Sequence, residues 1–80
     1  MDDAEIVGHI NELADEEHRL ERSHASGGLS DEEQARLREV EVALDQCWDL
    51  LRQRRARRSA GQDPDDASVR SEGTVENYKQ

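Results

Sequence analysis

The chain has 80 residues, a net charge of −9, 32% hydrophobic residues and 39% charged residues. A globular domain of ordinary composition carries roughly 45–50% apolar and about 25% charged residues. These figures exclude a multi-domain enzyme, a membrane span and a deep single-chain core, and they leave room for one small domain.

The first residues, Met1-Asp2-Asp3-Ala4-Glu5, are acidic and lack the apolar stretch of a signal peptide. Cys47 is alone, so no internal disulfide can form. A cytoplasmic protein is expected. The acidic balance disfavours nucleic acid and anionic membranes as general partners.

A first helix is predicted over residues 3–26. Asp2-x-x-Glu5 has the spacing of a capping box, and acids suit the positive end of the helix dipole. Ile6, Ile10, Leu13, Glu17 and Leu20 advance in steps of four and three, the rhythm of a coiled-coil seam. Val7 and Ala14 widen the stripe. Gly27-Gly28 supplies a C-terminal stop.

A second helix is predicted over residues 31–59. Ser30 and Glu33 form a second capping box, and Leu37, Val40, Leu44, Cys47 and Leu51 continue the seam rhythm. The short connection implies an antiparallel hairpin. Folding about the glycine turn pairs Ile6 with Leu51, Ile10 with Cys47, Leu13 with Leu44, Glu17 with Val40, and Leu20 with Leu37, all in one register. The fold class read from this is all-α: residues 1–60 form a coiled-coil-like two-helix hairpin. Residues 61–80 read as an acidic, flexible and mostly disordered tail, rich in Asp, Ser and Gly. Val69, Val75 and Tyr78 are its scattered apolar residues. A short docking motif through Val75 and Tyr78 is the alternative reading of the tail.

The seam is too small to make a lone hairpin more than marginal, and two-helix units gain stability by adding helices. Val7, Trp48 and Leu50 lie beside it and form the expected interface. The leading reading is a non-enzymatic helical hairpin that acts by protein contact, either as a homodimer giving a four-helix bundle or on a larger protein. Neither a cofactor nor a small-molecule substrate is expected.

Two further readings start from charged residues. Arg52, Arg54, Arg55, Arg57 and Arg58 form a basic block, as a nucleic-acid- or RNA-polymerase-associated regulator would use for phosphate or acidic contacts. The hairpin register opposes this reading, because it sets Asp2, Asp3 and Glu5 against Arg55, Arg54 and Arg52. Glu21-x-x-His24 has the spacing of di-iron four-helix proteins. With Glu17 and Glu33, it makes a candidate metal set for a dimer. Cys47, on the seam, reads as an inert small hydrophobe.

The stretch Leu44-Asp45-Gln46-Cys47-Trp48-Asp49-Leu50-Leu51-Arg52-Gln53-Arg54-Arg55-Ala56 is distinctive. Together with Glu16-Glu17-His18, Gly61-x-Asp63-Pro64-Asp65 and Val75-Glu76-x-Tyr78, it closely resembles an actinobacterial family of short uncharacterised proteins, domain of unknown function 2630. The resemblance implies a stand-alone small protein of high-GC bacteria. It brings no catalytic residue, cofactor or partner. Within the motif, Asp45, Trp48, Asp49 and Gln53 are not seam residues, and Trp48 with flanking Asp and Arg has the composition of an interface centre.

Overall fold

The computed structural model describes residues 2–73 and residue 75. Two long helices, α1 (Asp3–Gly27) and α2 (Asp31–Ser59), are followed by a single 3₁₀ turn, Pro64–Asp66. The two helices form the antiparallel hairpin that the periodicity predicts.

Local chemistry sets each boundary. Asp2 caps α1: its Oδ1 accepts from the Glu5 N–H at 2.8 Å, and Glu5 Oε1 accepts from the Asp2 N–H at 3.2 Å. Ser30 and Glu33 make the same reciprocal pair at α2, both at 3.1 Å. Each box satisfies two amides that the first helical turn leaves without partners. At the end of α1 the chain turns through Gly28, whose φ is 87° and whose N–H donates to the His24 carbonyl. Positive φ costs glycine nothing, which is why the turn takes it.

The end of α2 is a Schellman motif. Gly61, at φ 74°, donates to the Arg58 carbonyl at 3.1 Å, and Gln62 donates to the Arg57 carbonyl at 2.7 Å. Asp63 then accepts from the Asp65 N–H, and Pro64 opens the 3₁₀ turn with its φ already fixed.

The core is the predicted seam in its open-end half. Ile6, Ile10, Leu13, Val40, Leu44 and Leu51 are buried, with Cys47 packed against them. Leu20 and Leu37 are only half-buried. They lie near the Gly27-Gly28 turn, where two helices alone cannot enclose a side chain.

Two expectations change. The sequence places Leu50 at an external interface, but it is 7% exposed and belongs to the core. The reason lies in residues 62–73, which were expected as part of a mostly disordered tail. They run back along α2, and Ala67 packs on the core beside Leu50. Gln53 Nε2 donates to the Ser68 carbonyl at 2.8 Å, Gln46 Nε2 donates to the Arg70 carbonyl at 3.2 Å, and Arg38 pairs with Glu72 at 3.3 Å. Val75 is buried, and its N–H donates to the Ser71 carbonyl. Tyr78, the other residue of the expected docking motif, lies outside the described residues.

Candidate interaction surface

A two-helix seam has two flanks. Residues just before the first seam position of each heptad lie on one, and residues just after the second lie on the other. The first flank carries His9 and Glu16 from α1 with Arg36, Ala43 and Leu50 from α2. Arg36 Nη2 donates to Glu16 Oε1 at 2.7 Å across it. Here the returning chain docks, and Ile6, His9, Cys47, Leu50 and Val69 line a shallow apolar groove. Burial pushes the Cys47 thiol up.

The second flank carries Val7, Ala14 and Glu21 from α1 with Glu41, Trp48 and Arg55 from α2. Val7 is 44% exposed and Trp48 is 47% exposed. The described tail covers the other side of the hairpin. The predicted interface residues therefore separate: Leu50 is internal, while Val7 and Trp48 share one open face.

Toward the turn this face becomes acidic. Glu17 occupies its seam position opposite Val40. Burial raises its pKa, and the neighbouring charges of Glu21, Glu41 and Asp45 raise it further. The four metal candidates do not converge. Glu33 is occupied by its capping box, Glu21 and His24 are exposed, and Glu17 sits in the seam. Among the described residues, no group of three His, Cys, Asp or Glu side chains is placed to hold a metal ion.

The arginine block is largely wired into the fold. Arg54 is 6% exposed, and its Nε donates to Asp3, the pairing the register predicts. Its Nη1 donates to Asp65 at 3.0 Å and to the Pro64 carbonyl at 3.2 Å. One guanidinium thus joins the start of α1, the end of α2 and the 3₁₀ turn. Arg58 also holds Asp3, at 2.6 Å. The expected Asp2–Arg55 and Glu5–Arg52 pairs do not form, because both acids are engaged in their own capping box. Arg52 instead lies 4.0 Å from Asp49. Arg55 and Arg57 make no ion pair among the described residues.

Asp49 is the functional-looking residue that hydrophobic patterning overlooks. It is 3% exposed, accepts from Gln53 Nε2 at 2.9 Å and lies 3.5 Å from Arg70 Nε. A buried carboxylate requires such partners. Its role is to hold the returning chain. The available signal was the spacing of Gln46, Asp49 and Gln53, which lines three polar side chains along one helix face.

No helix among the described residues is long and apolar enough to cross a membrane. Residues 2–80 match the family described as "Protein of unknown function (DUF2630)". An uncharacterized protein of Mycobacterium bovis is 52% identical over 77 residues, covering 95% of this chain and 88% of the relative. Uncharacterized proteins of two Mycobacterium tuberculosis strains match with the same identity and coverage. No solved structure matches the chain. The Trp48-centred motif, the hairpin and the near-complete match agree: this chain belongs to the DUF2630 family.

Proposed function

We propose that this protein is a non-enzymatic helical hairpin that works by protein–protein contact and self-associates through the Val7–Trp48 flank. The observation that carries the reading is the half-exposed indole of Trp48, on the same flank of the hairpin register as half-exposed Val7, on the face the described tail leaves open. Tryptophan combines a large apolar area with few rotatable bonds, so its burial at a contact yields more binding energy than most side chains. The rest of the seam supports the same reading, because it is short and only partly enclosed near the turn. The arginine block adds little phosphate-binding capacity, since Arg54 and Arg58 are engaged by Asp3 and Arg52 lies near Asp49.

Light scattering on the full chain over a range of concentrations tests the reading. The expected result is a species heavier than the 9.1 kDa monomer. Trp48→Ala should shift it toward monomer while helicity by circular dichroism is retained. A chain that stays monomeric at every concentration overturns the proposal.

A further inference from the structure

We propose that the occupant of this flank is a second copy of the chain, docked about a two-fold axis at Trp48, with the two α2 helices antiparallel and Glu41 of each copy facing Arg55 of the other. The inference rests on the self-association reading and adds its geometry.

A two-fold interface must be complementary to itself: wherever residue i meets residue j, j also meets i. Glu41, Trp48 and Arg55 recur every seven residues, so all three fall on the same flank of α2. Glu41 lies about 10 Å from Trp48 toward the turn, and Arg55 lies about 10 Å away in the opposite direction. Their charges are opposite. Antiparallel pairing of α2 with its copy, centred on Trp48, therefore forms the Glu41–Arg55 contact twice and stacks the two apolar centres. Parallel pairing in the same register would set Glu41 against Glu41 and Arg55 against Arg55. Like charges brought together at an interface oppose association, so the charge order selects the antiparallel arrangement.

Three further features agree. Both Glu41 and Arg55 are exposed, and neither makes an ion pair among the described residues. On α1, the flank presents Val7 and Ala14 alongside this stretch, and they have little bulk to hold a second hairpin away. The acidic neighbours of Glu17 also gain a cation from this docking. Arg55 of the second copy arrives beside Glu41, one of the charges that raise Glu17.

The test uses sedimentation velocity of the full chain at low and high salt, with Glu41→Arg, Arg55→Glu and the double variant. Each single variant places like charges together twice per dimer, so its dissociation constant should rise at least about tenfold at low salt, and less at high salt. The double variant should restore the dimer. An equimolar mixture of the two single variants should form heterodimers, because one chain then carries two cations and the other two anions. Circular dichroism confirms that each variant is folded. If the single variants dimerise as tightly as the wild type, this geometry is overturned while self-association stands. If the wild-type chain is itself monomeric throughout, the self-association reading falls and takes this geometry with it.

Discussion

Asp3 accepts hydrogen bonds from Arg58 and Arg54, and these two guanidiniums hold its carboxyl at about 2, against an ordinary value of 3.8. A pKa below the unfolded value means that the ionised form favours folding. The contribution is complete above about pH 4 and is lost as the pH falls through 2. Asp3→Asn should therefore lower Tm by a constant amount from pH 7 to 5. That difference should shrink as the pH falls from about 4 through 2, as thermal melts across this range will show; a difference undiminished at pH 2 would remove the ion pairs from the account. Glu17 has the opposite sign. Its pKa is raised, so its charge opposes folding at neutral pH and the cost is relieved on acidification. An acid in a seam is thus a stability cost, and it lies beside the flank proposed to bind a second copy. The periodicity exposed Glu17 as out of place. The same rhythm sets Arg54 apart from Arg55: it lies three residues after Leu51, on the seam and opposite Asp3.

At the scale of elements, the returning chain is the main departure from the sequence reading. Low hydrophobicity and high charge describe segments that bury too little to order themselves. Here polar contacts supply what apolar side chains do not. From Arg54 to Arg38, α2 covers about 24 Å at 1.5 Å per residue. The returning chain starts with the 3₁₀ turn Pro64–Asp66 and runs on from Ala67 toward Glu72. Along this stretch, successive residues of the strap meet Arg54, Gln53, Gln46 and Arg38 in order. Leu50 and Ala67 are enclosed as a result. Val75, just beyond Glu72, is 2% exposed. Val75→Ala removes two buried carbons, worth about 1.5 kcal/mol at about 0.8 kcal/mol each. The expected consequence is a Tm lower by on the order of 5–10 °C. An unchanged Tm would place the strap outside the cooperatively melting unit.

At the scale of the whole molecule, folding and association should be coupled. A two-layer hairpin encloses its core best at the open end, where the strap forms a third layer, and least near the turn. If the Val7–Trp48 flank binds a second copy, that contact stabilises the folded chain by mass action. Tm should then rise with protein concentration in the wild type and become independent of concentration in Trp48→Ala, which calorimetry at several concentrations will check. The sequence by itself determined both capping boxes, the Gly27-Gly28 turn, the helix spans and the seam register. These depend on contacts within a few residues or on one repeated spacing, and such information is local. The tertiary structure alone decided that Asp49 is internal and that Leu50 is core. Asp49 meets Arg70 across 21 positions, and Gln53 meets Ser68 across 15. A polar side chain can be buried only where such distant partners arrive, and no local pattern records where they do.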